Sequence, residues 1–323
     1  MKNTIFQILQ EMSQYLTIAE LQELQRILLK YLIDESRLEE QTHTNDEYLE
    51  LFLAAKQVEG LSKKTLKEYE RTAKNLFKCV AVPITDMTTD LIRMHLSNYQ
   101  EEHRCSKASL DTERRNLSAF FVWLVEEEHL VKNPMKRIHK IKSPKKVKTV
   151  LSDEDIERIR DNCTNMRNLA IVDILYATGM RVSELVGLNR DDINYMEREC
   201  VIFGKGEKER TAYFDAKTKI HLQEYIKSRN DENEALFVSI RKPHQRLTTG
   251  AVEKVLREMG TDLGIKKLHP HKFRRSMATK AIDKGMPIEQ VQKLLGHAEI
   301  GTTMEYAMVK QSNVKNSHQK YIS

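Results

Sequence analysis

The sequence predicts a mainly α-helical protein with one small β-sheet, an α+β chain of two domains behind a short helical extension. Three observations carry this. Its 323 residues suffice for two ordinary cores and a small extra unit. Hydrophobic residues make up 40% and charged residues 31%, the balance of a folded, helix-rich chain. Apolar residues recur at three- and four-residue spacing over most of the length, whereas strand patterns are confined to short runs between 199 and 239.

Residues 1–45 form the extension, helical from 5 to 33. Thr17 and Glu20 spell a capping box, after which Leu21, Leu24, Leu28 and Tyr31 make an apolar stripe. The stripe suits either self-association or a helical hairpin docked on the next domain. The polar stretch 35–46 reads as a linker. A domain at 46–133 follows, with four helices at about 46–58, 62–80, 89–103 and 107–128. Leu49, Phe52, Leu53, Leu66, Tyr69, Ala73, Leu76 and Phe77 start its core, and Leu110, Leu117, Phe120, Phe121 and Leu124 complete it. Lys63, Lys64, Lys67, Arg71, Lys74 and Lys78 lie largely opposite that face of the second helix.

Net charge is only +6, but its distribution is informative. Residues 1–45 carry 4 basic and 7 acidic side chains, 46–149 carry 20 and 15, and 150–323 carry 29 and 25, so the positive excess spares the extension. The linker 134–149 is the most basic piece: from Lys132 to Lys148 there are eight Lys or Arg and no acid. A tether has no need of so many cations. Side chains that reach phosphates release condensed counterions, so this segment is expected to touch a nucleic-acid backbone through Lys140, Lys142, Lys145 and Lys146.

The second domain, 150–323, begins where Ser152 offers an N-cap to a helix through about 163. A strongly apolar helix at 166–178 stops at Gly179, and SELVGL forms a short helix after Arg181. Strands at 199–203 and 209–214 flank a GKGEK turn whose Gly204 and Gly206 permit unusual backbone angles. A helix at 216–228, a strand from Leu236 to Ser239 and a helix at 248–263 complete the scaffold.

The stretch HPHKFRRSMATKAIDKGMPIEQVQKLLGHAEIGTTMEY, 269–306, concentrates the candidate chemistry. A helix at 270–284 buries Phe273, Met277, Ala278 and Ala281, leaving His271 and Arg274 together on a neighbouring face. Pro287 fits the first turn of the next helix, which Gly296 stops, so His297 falls in an exposed turn. A third helix starting near Thr302 or Thr303 would carry Tyr306, a packed aromatic or a nucleophile. Singly, each of these residues is more often structural than chemical. Together they suit phosphoryl transfer: arginine forks grip phosphate oxygens, imidazoles move protons near neutrality, and a phenol can attack phosphorus.

The motif H-x-x-R at His271 and Arg274, LLGH ending at His297 and Tyr306 nine residues on closely resembles the C-terminal signature of tyrosine recombinases, the integrase and Xer group. ATGMRVSELVGL at 177–188 resembles the family's first arginine box, and GKGEKER at 204–210 its lysine-bearing hairpin. The resemblance spans about residues 46–310. Phe273 replaces a common leucine and Arg275 a frequent histidine, neither at a catalytic position.

The resemblance implies a site-specific DNA recombinase whose 46–133 region is the core-binding domain and whose 150–323 region is catalytic. Tyr306 would form a 3′-phosphotyrosyl link and Lys205 would protonate the leaving 5′ oxygen, with Lys208 the competing lysine. Arg181 and Arg274 would stabilise the transition state, with His271 moving a proton and His297 supporting the phosphate. Double-stranded DNA is the implied partner, bound by a tetramer of self or paralogue on two sites with exchange of the C-terminal tail. Integration or excision of a mobile element and resolution of chromosome dimers would use the same residues. A type IB topoisomerase and a catalytically silent DNA-binding protein are the rivals.

No cofactor or metal is expected, since the chain lacks a P-loop and a convincing acidic cluster, and His269 with His271 has no carboxylate or thiol partner. Cys79, Cys105, Cys163 and Cys200 are widely spaced, which suits reduced thiols in a cytoplasm. No apolar run approaches the ~18 residues that span a membrane.

Overall fold

The computed structural model describes residues 2–32, 43–143, 149–203, 209–297, 299–304 and 306. The chain divides into two units, Met1–Lys146 and Val147–Ser323. The described residues are mostly helical, with one three-stranded sheet.

In the first unit, α1 (Lys2–Met12) and α2 (Ile18–Leu32) form a hairpin. Thr17 caps α2 as its sequence predicts, its N–H donating to Glu20 Oε2 at 2.7 Å. The apolar stripe packs inward: Ile5, Leu9 and Leu21 are buried, with Leu24, Leu28 and Val131 against them. Lys132 Nζ donates to the carbonyls of Ser13 and Leu16 at 3.2 and 2.8 Å. The hairpin is thus docked on the helices that follow, one of the two expected arrangements.

Those helices are α3 (Asn45–Val58), α4 (Lys63–Cys79), α5 (Thr89–His103) and α6 (Lys107–Glu126). Each starts at a Ser or Thr in extended conformation, Thr44, Ser62, Thr88 and Ser106, whose side chain accepts an N–H three residues on. Such caps are worth about 1 kcal/mol each and explain why the helix starts were readable. Asn45 and Asp46 belong to α3 and not to the predicted linker, because Thr44 already caps the helix. Phe52, Leu76, Leu117, Phe120, Phe121 and Leu124 form the core, while the six basic residues of α4 are exposed. The segment after Pro134 is not a free tether through Ser143: Met135 is buried, Ile138 and Ile141 pack on the same core, and Ile141 N–H donates to Asp111 Oδ1 at 2.9 Å.

The second unit is built around α8 (Met166–Thr178), whose Ala170, Ile171, Val172, Ile174 and Leu175 are fully buried. Apolar character on every face marks a helix at the centre of a domain. Around it lie α7 (Asp153–Asp161), α9 (Val182–Gly187), α10 (Ala216–Ser228), α11 (Thr249–Asp262), α12 (Pro270–Asp283), α13 (Ile288–Leu295) and α14 (Ile300–Met304). The antiparallel sheet runs β1 (Ile193–Asn194), β2 (Glu199–Phe203), β3 (Glu209–Tyr213), with Cys200 opposite Ala212 and Ile202 opposite Arg210.

Three expectations need correction. Leu236–Ser239 forms no sheet strand: the neighbouring Ala235 and Val238 make isolated bridges, and Arg229 Nη1 occupies the carbonyls of Ala235 and Leu236 at 2.6 and 3.0 Å, where a neighbouring strand would donate. Pro287 is the N-cap of α13 and does not lie in its first turn. Among the described residues the last helix begins at Ile300 and ends at Met304, so Tyr306 follows it, tied back by its N–H to Thr303 O at 2.9 Å.

Candidate active site

Two helix ends meet at Arg274. After α8 the chain turns at Gly179, with φ of +61°, and α13 stops at Gly296, with φ of +65°. Both are left-handed positions that glycine takes without steric cost. The turns aim the carbonyls of Gly179 and Leu295 at α12, where Arg274 Nη1 and Nη2 donate to them at 2.8 and 2.7 Å. Arg274 is 2% exposed, so the negative ends of two helices are what sustain a cation in the core. Burial, then the Arg181 cation, lowers its pKa to about 10, and it remains protonated at neutrality.

Arg274 Nη2 also lies 2.8 Å from His297 Nε2. Nδ1 of the same ring is 2.8 Å from Oγ1 of the buried Thr303. His297 is therefore half-buried and not in the exposed turn its position after Gly296 suggests, because both ring nitrogens are engaged. Burial, then Arg274, Arg181 and Arg210, push its pKa down to about 4. The Tyr306 ring packs on Met277, Ala278, Val291 and Leu295, its centroid 5.8 Å from that of His297. Thr303 thus holds the imidazole through its hydroxyl and the Tyr306 backbone through its carbonyl.

Arg181 precedes α9 and is fixed by Glu184, whose Oε2 accepts the Arg181 N–H at 2.6 Å and whose Oε1 accepts Nη1 at 2.8 Å. Glu184 is 5% exposed, a buried carboxylate. The Arg181 charge lowers the pKa of Arg274, His271 and His297 alike, so all three lie within its electrostatic reach. His271 stands at the surface beside His269, ring centroids 6.4 Å apart. Partial burial, then Arg274 and Arg181, lowers its pKa.

Five of the six candidate catalytic residues therefore gather at one place. Lys205, with its competitor Lys208, lies outside the described residues, as do Lys145, Lys146 and residues 307–323. Lys140 and Lys142 are exposed in the other unit. Among the described residues no three His, Cys, Asp or Glu side chains converge as metal ligands, and no helix is long and apolar enough to cross a membrane.

Sequence reasoning missed Thr303 and Arg210. Arg210 sits on β3 two residues before the buried Ala212 and opposite the buried Ile202, so strand alternation turns it inward. A cation on a buried strand face was the signal available. Its Nη2 donates to Glu184 Oε2 at 2.8 Å.

The arrangement, two guanidiniums around a neutral histidine beside a phenol, can hold an anionic ester against a nucleophile. Comparison with known proteins agrees. Residues 149–313 match the phage integrase family, and residues 48–129 match its N-terminal SAM-like domain. The chain is 31% identical over 278 residues to tyrosine recombinase XerD of Oceanobacillus iheyensis, covering 81% of this chain and 93% of that protein. It is 32% identical over 278 residues to tyrosine recombinase XerA of Pyrococcus furiosus, covering 84% and 92%. A lambda integrase dimer bound to a COC′ core site shares the fold at a TM-score of 0.70 and 19% identity, over 88% of this chain and 85% of that one. XerH site-specific recombinase bound to a palindromic difH substrate does so at 0.68 and 18%, over 99% and 95%. The chain belongs to the phage integrase family of tyrosine recombinases.

Proposed function

We propose that this tyrosine recombinase cleaves and rejoins DNA at a specific site through Tyr306. Tyr306 Oη attacks the scissile phosphorus, the bond to the 5′ oxygen breaks, and a 3′-phosphotyrosyl ester conserves the bond for rejoining by a 5′ hydroxyl. Arg181 and Arg274 oppose the charge that the non-bridging oxygens gain. His271 takes the phenolic proton, His297 donates a hydrogen bond to the phosphate, and Lys205 protonates the departing 5′ oxygen. No step calls on a metal or nucleotide.

Residues 46–133 close over the duplex, the segment 134–149 follows its backbone through Lys140, Lys142, Lys145 and Lys146, and 150–323 carries the chemistry. Four copies, of self or with a paralogue, act on two sites in the cytoplasm and exchange their C-terminal tails.

One observation carries this reading: a buried, permanently charged Arg274 bonded to a neutral His297 whose ring lies beside that of Tyr306. The test is a nicked suicide duplex. The unsubstituted protein is expected to give an adduct that survives SDS, and Tyr306→Phe none. Equal adduct from both rules out Tyr306 as the nucleophile.

A further inference from the structure

We propose that Arg210 is a positioning residue for strand cleavage, fixing Arg181 through Glu184 and fixing the His297 turn by packing on Gly296. The inference rests on the reading of this site as a DNA-cleavage centre.

Glu184 joins the two arginines. Its Oε1 holds the Arg181 side chain, while Oε2 holds both the Arg181 backbone N–H and Arg210 Nη2. One buried carboxylate therefore sets the direction of two guanidiniums. Without Arg210 the carboxylate loses, among the described residues, the one side-chain cation beyond Arg181 that holds it, and is oriented by Arg181 alone, which leaves the Arg181 fork room to shift. A misplacement of that kind at a site built for a phosphodiester costs rate and leaves binding intact.

The second contact is steric. A Cβ built at Gly296 would lie 2.8 Å from both Cδ and Nε of Arg210, so the arginine stem lies against the backbone just before His297. Arg210 is the second residue of β3 and follows Lys208 by two positions in the sequence. The same side chain therefore links β3, the residue that directs Arg181 and the residue that precedes His297.

Its hydrogen bonding does not look like that of a stabilising ion pair. Arg210 Nε and Nη1 are buried and, among the described residues, have no hydrogen-bond partner. Buried donors left unpaired in a native site call for a reason. A fork held rigid for the sake of Glu184 supplies one, and it leaves two guanidiniums, Arg181 and Arg210, on one carboxylate, a surplus suited to an anionic backbone. Arg210 is not assigned contact with the reacting atoms.

The test measures adduct formation in a single turnover at saturating suicide duplex, DNA affinity by gel shift, and thermal unfolding. Arg210→Gln is expected to bind DNA within about twofold of the unsubstituted protein and to form adduct on the order of 100-fold more slowly. Arg210→Lys, which keeps the charge but not the fork, should recover about tenfold of that loss. In an Arg181→Lys background the same Arg210→Gln change should cost less than about threefold, because the path through Glu184 is already broken. Equal rates for Arg210→Gln and the unsubstituted protein overturn the inference. So does a loss confined to DNA affinity, or full additivity with Arg181→Lys. Should Arg210→Gln not fold, Arg210→Lys decides, since a folded variant at the unsubstituted rate leaves the fork no role. Absence of any adduct from the unsubstituted protein sinks the cleavage reading and this inference with it, whereas fast adduct from Arg210→Gln sinks the inference alone.

Discussion

Arg274 Nη2 lies 2.8 Å from His297 Nε2, and because a guanidinium can only donate, it fixes the imidazole as neutral with its proton on Nδ1, facing Thr303. This is a resting arrangement: to donate to a phosphate oxygen, Nε2 must give up Arg274 and gain a proton. In the proposed mechanism an arriving phosphodiester would offer Arg274 a better partner and lower the cost of a second cation.

The first prediction concerns that exchange. With its pKa near 4 in the folded protein and about 6.5 unfolded, His297 binds more protons in the unfolded chain between those values. Its contribution to stability therefore falls as pH drops through that window. Nitrogen NMR of labelled histidine should show His297 neutral, with hydrogen on Nδ1, at pH 6. In Tyr306→Phe protein, bound duplex should raise its titration midpoint by at least about one unit. An unchanged midpoint would mean that His297 never meets the phosphate.

In the proposed mechanism Arg274 serves chemistry as well as structure, and two substitutions separate them. Arg274→Ala strips donors from two buried carbonyls, at about 1–3 kcal/mol each, so urea unfolding should report a loss of about 2–6 kcal/mol. Arg274→Lys keeps a charge, but an ammonium cannot span Gly179 O, Leu295 O and His297 together. It should unfold closer to the unsubstituted protein yet form adduct on the order of 100-fold more slowly. Adduct at the normal rate from Arg274→Lys would show that charge suffices.

Gly179 and Gly60 make a matched pair. Both have positive φ, +61° and +82°, where a side chain costs about 1–2 kcal/mol. A Cβ at Gly60 meets open space, whereas at Gly179 it would lie 2.2 Å from Met277 Cε and 3.2 Å from Leu295 Cδ2. Gly179→Ala should therefore lower the melting temperature by roughly 3–6 °C more than Gly60→Ala, at about 2–4 °C per kcal/mol for a chain of this size. Because Gly179 O anchors Arg274, only Gly179→Ala should also slow adduct formation. Equal effects from the two would show that Met277 and Leu295 yield freely.

Much of this fold is legible because helix boundaries are decided locally. Thr44, Ser62, Ser106 and Ser152 each bond an N–H three residues on, and Gly179 and Gly296 end their helices by their own backbone angles. What stayed hidden depends on side-chain contacts that no local pattern announces. Leu236–Ser239 has the composition of a strand, but Arg229 takes the carbonyls beside it. His297 follows a glycine stop and reads as exposed until Arg274, 23 residues earlier, and Thr303 take its two nitrogens. The motif spacing locates Arg181, His271, Arg274, His297 and Tyr306, and says nothing of Arg210, whose role depends on reaching Glu184, 26 residues back in the chain.

The last prediction takes up the basic segment. Ile138 and Ile141 turn into the core of the first unit, which leaves Lys140 and Lys142 exposed on either side of Ile141. Cations presented this way gain little from folding, so replacing both with alanine should change stability by less than about 0.5 kcal/mol. If each reaches a phosphate, each lost contact removes one released counterion. The slope of log affinity against log salt should then become shallower by about 0.9 per lysine, or nearly 2 for the pair. The loss should be the same on scrambled duplex as on a cognate site, because a phosphate contact carries no sequence information. Adduct formation at saturating DNA should be unaffected, since neither lysine belongs to the cleavage site. A double variant whose salt slope matches the original would make these lysines ordinary solvated side chains and move the backbone contact to another surface.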